Sequence, residues 1–216
     1  MKKVILSFFL AILSVMLFSQ ETNKNSFTII DLGIEFQIYP TGIMPGLRIE
    51  TNLSQKDAIN LRIGMNFFDH KDFPKKAGIN KHDSEIGYGY GFSLGYRHYF
   101  WKGLKNLYFG VRSDLWFNKV YWSKKKPDFY YCDSSQPCLQ YVPNPTIKGE
   151  SNIVVLQPTI EAGWLFEMGK NKNIFIAPDI AFGYEWNAIV KGEQTGYGFI
   201  FLAGISAGYR FNKIKK

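Results

Sequence analysis

The stretch Glu85–Phe100, EIGYGYGFSLGYRHYF, has a strict two-residue period. One alternate set of residues is apolar and aromatic, and the other is mostly glycine with charge toward its ends. Strand side chains alternate between two faces, so this stretch predicts a strand with one bulky face and one nearly bare face. Glycine on a water-exposed face would weaken a strand. Inside a narrow closed barrel, the same glycines leave room for long polar side chains, while the apolar face points at lipid.

The same test finds seven further segments with one apolar face and one polar or glycine-rich face. Most of them reach the roughly 9–11 residues that a tilted membrane-spanning strand needs. The sequence therefore predicts an all-β protein, an eight-stranded antiparallel up-and-down transmembrane β-barrel. Its predicted strands are Phe27–Tyr39, Pro45–Leu53, Ala58–Phe68, Glu85–Phe100, Leu107–Trp122, Ile153–Met168, Ile174–Ile189 and Tyr197–Phe211.

Two local features of these segments qualify the pattern. Pro158 and Pro178 fall inside the sixth and seventh segments, and a bulge or bend is expected near one or both, because proline removes a ladder donor. The connections alternate in length: 69–84 and 123–152 are long, and the even-numbered connections are short. Barrels in outer membranes have long outer loops and short periplasmic turns, and an even strand count places both termini in the periplasm.

The first nineteen residues have the three parts of a secretory signal. Lys2 and Lys3 carry the charge, Val4–Phe18 is a short apolar run, and Ser19 is the small residue at the cleavage site. We expect a signal peptide at 1–19, export through the Sec pathway, and a barrel at 20–216; a retained anchor helix is the alternative. Cleavage would lower the formal net charge from +8 to +6, since 24 basic residues would then face 18 acidic ones.

The predicted inward face gathers ionisable side chains. The interior of an eight-stranded barrel is just wide enough for side chains to fill, so buried charges must pair, and arginine forks suit carboxylates. We predict an interior charge network that plugs the lumen; an ion path lined by these groups and a pair of catalytic carboxylates are the alternatives. The residues are Asp31, Glu35, Arg48, Glu50, Arg62, Arg97, Arg112, Asp114, Glu161, Asp179, Glu185 and Arg210.

Cysteines and aromatic residues support export to a membrane. Cys132 and Cys138 lie close together in one connection, and a local disulfide is predicted in an oxidising compartment. A metal site is the alternative, but no histidine lies nearby, and no cofactor is predicted.

Aromatic girdles are expected at both interfaces. The girdle residues are Phe100, Trp101, Tyr108 and Phe211 at the periplasmic end and Tyr121, Trp186 and Tyr197 at the outer end.

The eight alternating segments resemble the small outer-membrane barrels of the OmpA/OmpX-like group. The signal ending FSQ and strands such as GYRHYF and AGYRF are similar to those of barrel proteins from Bacteroidota. Tyr209 and Phe211 resemble the aromatic signal read by the barrel-assembly machinery, although this chain continues through Asn212–Lys216. The resemblance implies a cell outer-membrane location, with outer-membrane lipid and lipopolysaccharide around the barrel.

The long connections are the candidate binding regions. Lysines in 69–84 and 123–152 are candidates to meet lipid phosphates at the outer rim, with solvated loop charge as the alternative. An extracellular ligand or protein is a further candidate partner there, and a nucleic acid is not expected, because basic residues alone are non-specific.

His82 and Ser84 resemble the His-x-Ser pair of lipid A deacylases, in which the serine attacks an acyl ester. Glu85 stands where that pattern has asparagine.

These observations predict a non-enzymatic outer-membrane barrel with a structural or surface-loop binding role. An outer-membrane lipid hydrolase using His82 and Ser84 is one alternative. A narrow channel or conduit for small hydrophobic solutes is another. A soluble lipocalin-like barrel, with the apolar face turned inward, is the third.

Overall fold

The computed structural model describes residues 27–69, 83–125, 129–131, 140–142, 146–193 and 198–214. These residues contain no helix long and apolar enough to cross a membrane. Within the same ranges the chain forms ten strands. They are β1 (Phe27–Tyr39), β2 (Gly42–Asn52), β3 (Asp57–Asp69), β4 (Ser84–Trp101), β5 (Lys105–Lys125), β6 (Phe129–Tyr131), β7 (Gln140–Val142), β8 (Thr146–Met168), β9 (Ile174–Lys191) and β10 (Gly198–Ile214).

Eight of these strands close into one barrel, in the order β1, β2, β3, β4, β5, β8, β9, β10. All neighbouring pairs are antiparallel, and β10 returns to β1 over a register that runs from Phe27–Ile214 to Ile38–Ala203. Closure leaves no unpaired sheet edge, which is the condition for strands to stand in hydrocarbon. The prediction of an eight-stranded antiparallel up-and-down barrel is confirmed.

The two ends of the barrel differ. One end, here called the turn end, carries the chain segments that join β2 to β3, β4 to β5 and β8 to β9. The other, called the loop end, carries the connection between β3 and β4 and the one between β5 and β8. The barrel strands β5 and β8 pair as far as Lys125–Thr146, and β6 and β7 form a separate two-stranded sheet. Described strand residues therefore occupy part of the predicted fifth connection, 123–152.

Strand bounds also differ from the prediction at β2. This strand begins at Gly42, where the sequence pattern placed the start at Pro45. Pairing of β1 with β2 continues to Tyr39–Gly42, so only a tight turn joins them. The period-two pattern misses these residues because Met44 is apolar and faces inward, which breaks the rule that inward residues are polar.

Both unusual prolines lie at the seam between β8 and β9. The register of this pair shifts between Val154 and Val155, which is a bulge close to Pro158, and the pairing skips both Pro158 and Pro178. The register is the same on both sides of Pro178. The expected bulge is thus found near one of the two prolines. Both prolines lie at positions where the ladder between β8 and β9 has no pair, so their missing N–H group breaks no pairing of these two strands.

Side chains alternate between the wall and the lumen. In β4, Tyr90 on the wall is 66% exposed, whereas Arg97 in the lumen is 0% exposed. Large apolar side chains are exposed on all eight barrel strands, so the apolar surface continues around the wall. A patch of this extent suits lipid rather than water. The lipocalin-like alternative, with the apolar face inward, is wrong, because the arginines and carboxylates face the lumen.

Glycine on the inward face makes room for large neighbours. A Cβ atom built on Gly110 would lie 2.9 Å from Oε1 of Glu161 and 3.0 Å from Cγ of Arg97. At Gly91 it would lie 2.5 Å from Cε3 of Trp116. The bare face of β4 and β5 is therefore the space into which lumen side chains fit.

We expect Gly110→Ala to destabilise the barrel by about 1–3 kcal/mol, because the added methyl group would overpack the lumen. Urea unfolding of the protein in lipid vesicles measures this. Ser113→Ala, on the wall side of the same strand, is the matched control. Equal stabilities of the two variants would contradict the packing explanation.

Closure also predicts heat-dependent gel mobility. Unboiled protein should keep its barrel in detergent and migrate differently from boiled protein, because all strand edges are paired. Gel electrophoresis of membrane fractions with and without boiling is the measurement. A single mobility under both conditions would be inconsistent with a closed barrel.

Candidate functional site: the filled lumen and its two ends

An ion-pair network crosses the middle of the lumen. Arg97 lies 3.3 Å from Glu50 and 2.5 Å from Glu161, so it joins two carboxylates. Arg112 continues the network, 3.3 Å from Glu161 and 3.4 Å from Glu35. All five side chains are buried. Each carboxylate is thus shared by more than one arginine, which compensates charges that have lost water.

Two further arginines end this network. Arg48 pairs with Glu50, and Arg62 lies 3.2 Å from Glu35. Arg62 also donates to the side-chain oxygen of Gln37 at 2.6 Å. The network therefore joins six of the eight barrel strands, β1 to β5 and β8.

The remaining acids of the predicted set occupy different surroundings. Asp114 lies 3.1 Å from Arg112 and extends the network. Among the described residues, neither carboxyl oxygen of Asp179 has a hydrogen-bond partner. Glu185 is half-buried beyond the network, on the same row of the sheet as Asp114, by the registers of β5 with β8 and of β8 with β9. The structure thus brings most of the predicted residues together, and the ion pairs between described residues do not include Asp179 or Glu185.

A separate ion pair lies at the turn end. Arg210 donates to both carboxyl oxygens of Asp31, at 2.7 and 2.6 Å, and also to Glu167 at 2.7 Å. Its guanidinium further donates to the backbone carbonyls of Gly103 and Leu104, at 3.2 and 2.9 Å. Arg210 therefore holds the turn after β4 beneath the barrel.

This turn closes the lumen with an apolar side chain. Leu104 is 0% exposed and has a φ of 49°, in the left-handed region that a branched side chain seldom adopts. Its hydrogen bonds to Arg210 hold the turn in this conformation. Leu104 completes an apolar layer, called here the turn-end layer, with Ile29, Ala58, Tyr99, Tyr108, Leu165, Phe175 and Ala177.

Tyr108 corrects one prediction. The ring was expected in the periplasmic aromatic girdle, but it is 0% exposed and belongs to the turn-end layer. The guanidinium of Arg97 lies 4.3 Å from its ring centroid, a cation–π contact. The ring of Tyr108 is buried because this residue belongs to the alternate set of β5 that points into the lumen, together with Gly110 and Arg112. Of the other girdle residues, Tyr197 lies outside the described residues, and the rest are exposed on the wall.

A second apolar layer, the loop-end layer, fills the lumen at the opposite end. It is buried and large, with Trp116 at 1% exposure. The sequence pattern did not predict this layer, because the inward face was expected to be polar or glycine-rich; the signal was the parity of Trp116, which lies between two wall residues. The layer comprises Met44, Trp116, Val120, Ile153, Val155, Ala181, Ile200 and Leu202, with Tyr39, Phe68 and Val190 packed against it.

The candidate catalytic and disulfide residues lie mostly outside the described ranges. His82, Cys132 and Cys138 belong to the undescribed parts of the two long connections. Ser84 is described, and its hydroxyl oxygen lies 2.7 Å from that of Ser123. His98, at the opposite end of β4, has its Nδ1 2.8 Å from Oδ1 of Asp57. Across the ranges that the structure describes, no group of three or more ligating side chains could hold a metal ion.

We expect Arg97→Met to destabilise the barrel by about 3–5 kcal/mol, because it leaves two buried carboxylates without their shared partner. Urea unfolding in vesicles is the measurement. Lys102→Met, an exposed residue of the turn end, removes the same charge and should change stability by less than about 0.5 kcal/mol. If both variants behaved alike, the ion pairs of Arg97 would not stabilise the barrel.

Comparison with known proteins gives structural likeness only. The chain matches no protein-family model and no curated protein. It is similar to the N-terminal β-barrel domain of Pseudomonas aeruginosa OprF (12% identity, TM-score 0.41, 87% of this chain and 98% of that chain). It is also similar to Yersinia pestis Ail in complex with the heparin analogue sucrose octasulfate (8%, 0.44, 87% and 99%) and to Neisserial surface protein A (13%, 0.31, 85% and 94%). By its own strand register, the chain is an eight-stranded closed antiparallel β-barrel.

Proposed function

We propose that this chain is a non-enzymatic outer-membrane barrel that acts through its outer surface, as a structural element or by binding. The observation that carries the proposal is the filled lumen. A buried ion-pair network lies between two apolar layers, so three successive levels of side chains occupy the axis of the barrel. The interior of an eight-stranded barrel is just wide enough for side chains, so three filled levels among the described residues argue against a substrate site or a solute path in the lumen.

The apolar wall and the unequal ends support an orientation in the outer membrane. Long connections face outward in such barrels, and short turns face the periplasm. The loop end is then the extracellular side, and 69–84 and 123–152 are the regions available to an extracellular ligand or protein. The two-stranded sheet of β6 and β7 belongs to the second of these connections. Export by a signal peptide at 1–19 through the Sec pathway belongs to the same proposal.

The rival functions receive less support. A conduit requires an opening, but the turn-end layer is sealed by Leu104, whose turn is tied down by Arg210. A lipid hydrolase requires a base beside the nucleophilic serine. Within the described residues the Ser84 hydroxyl lies at hydrogen-bond distance from another hydroxyl, that of Ser123, which is not a base, and the candidate base His82 lies outside these residues.

Purified protein in planar lipid bilayers should show no single-channel conductance, because the lumen is packed at three levels. A large porin in the same bilayers is the positive control. Discrete, voltage-driven steps from the wild-type protein would overturn the closed-lumen proposal in favour of the channel.

The non-enzymatic part of the proposal has its own test. The acyl composition of outer-membrane lipids should be the same in cells with the wild-type gene, without it, and with the Ser84→Ala variant. Mass spectrometry of extracted lipids is the measurement. Loss of one acyl chain that depends on both the gene and Ser84 would establish a hydrolase instead.

A further inference from the structure

A groove lies on the wall of the barrel, close to the loop end. Its volume is about 410 Å³, and its lining residues come from the adjacent strands β4, β5, β8 and β9. No lining residue belongs to the opposite side of the barrel, so the groove opens outward and not into the lumen. The volume falls in the range of roughly 300–1,000 Å³ that is typical of ligand pockets.

The lower half of the groove is an apolar row that crosses four strands. Tyr90, Phe117, Val154 and Ile189 are neighbours in register. The rings of Tyr90 and Phe117 stack with centroids 5.5 Å apart and form one side of the groove. Val154 is the smallest side chain of the row, and it lies between Phe117 and Ile189. The depression over Val154 therefore has the apolar walls that an acyl chain requires.

The upper half is a polar row two residues closer to the loop end, about 7 Å along the strands. Tyr88, Lys119, Asn152 and Lys191 are neighbours in register and face the same side. Asn152 and Lys191 are exposed. The wall thus changes from apolar to polar and cationic across the groove, which is the transition expected where acyl chains meet lipid headgroups.

Charges around the polar row favour an anion. Lys119 lies 3.0 Å from Glu150 and 5.2 Å from the ring centroid of Tyr121, contacts that hold its ammonium group above the apolar row. Glu150 offsets one positive charge, and Lys191 supplies a second. Two further exposed lysines, at 125 and 148, lie on the same wall toward the loop end, together with the acids Glu193 and Asp83. The four lysines therefore outnumber the three acids of this region by one charge.

Spacing indicates what kind of anion fits. Lys119 and Lys191 stand two strands apart, with their backbones roughly 10 Å from each other. Two separated phosphates match this spacing better than a single phosphate does. A second copy of the chain is a poorer occupant, because pairing through this wall would bring the lysines of both copies together.

From this geometry, we propose that the groove binds one molecule of lipid A, the phosphorylated and acylated glucosamine disaccharide of the outer leaflet. One acyl chain lies over Val154 in the apolar row, and the phosphates contact Lys119 and Lys191. The site rests on the proposed function, since that function turns the loop end toward the outer leaflet. It differs from the lysines of the long connections 69–84 and 123–152, because it lies on the barrel wall.

The test titrates the purified protein, in zwitterionic detergent, with bis-phosphorylated lipid A and counts bound lipid by native mass spectrometry. We expect one saturable molecule. Because each lysine near a membrane surface contributes about fivefold in affinity, the double variant Lys119→Ala/Lys191→Ala should bind about 25-fold more weakly. Lys102→Ala/Lys170→Ala removes the same charge at the turn end, where both residues are exposed, and should leave binding unchanged.

A second variant tests the acyl part without altering charge. Val154→Trp fills the depression and should weaken lipid A binding, whereas Ile160→Trp, a 62% exposed wall residue of the same strand, should not. The heat-dependent gel shift verifies that every variant has folded. Dephosphorylated lipid A should bind the wild-type protein and the double-lysine variant equally. Phosphatidylglycerol should not displace bound lipid A.

Three binding results would contradict the lipid A site, and a cross-linking result is the fourth. The three are equal binding by the two double-lysine variants, equal binding by the two tryptophan variants, and equal binding of phosphatidylglycerol and lipid A. Cross-linking of two copies through this wall would likewise replace the lipid with a second chain. Failure of the closed, non-enzymatic barrel is recognised separately, from bilayer conductance or from the acyl composition of cell lipids, neither of which depends on the groove.

Discussion

Pairing of buried charges is the constraint on which the rest of this structure depends. Arginines removed from water must meet carboxylates, and here the partners come from strands that are far apart in the sequence, as between Arg97 in β4 and Glu161 in β8. A slip of one residue in any of these strands would turn its charged side chains toward lipid. The network therefore specifies the strand register and also stabilises the closed barrel. The inward glycines are required because a side chain at these positions would occupy the space that the arginines fill.

The two apolar layers make this network effective. They separate it from water at both ends, and ion pairs in a drier environment interact more strongly than in bulk solvent. The layers also touch the network directly, because Arg97 lies over the ring of Tyr108 and Arg62 lies 5.4 Å from the ring centroid of Trp116. The central ion pairs and the two apolar layers therefore stabilise one another: the layers exclude water from the ion pairs, and the arginines contact the aromatic rings of the layers.

Sequence periodicity predicted the barrel well, because the wall must be apolar all the way around and alternation then marks every strand. It predicted the inward position of the charged residues for the same reason. The parity of Trp116 and Tyr108 is also inward, but the inward face was expected to be polar or glycine-rich, so the two apolar layers were not predicted. Periodicity gives no signal for Leu104, whose burial depends on the conformation of a turn and on its hydrogen bond to Arg210. Such contacts between distant segments leave no periodic signal.

A lumen filled for stability leaves the outer surface as the part of the barrel that is free to acquire function. On the wall, most outward positions need only be apolar, so the departures from that rule are informative. Lys119 and Lys191 lie in one row with Tyr88 and Asn152, and Val154 leaves a depression in the row beneath them. A uniform lipid-facing surface requires neither the gap nor the paired cations. Their coincidence at one place on the wall is what distinguishes a ligand site from a surface that is merely solvated by lipid.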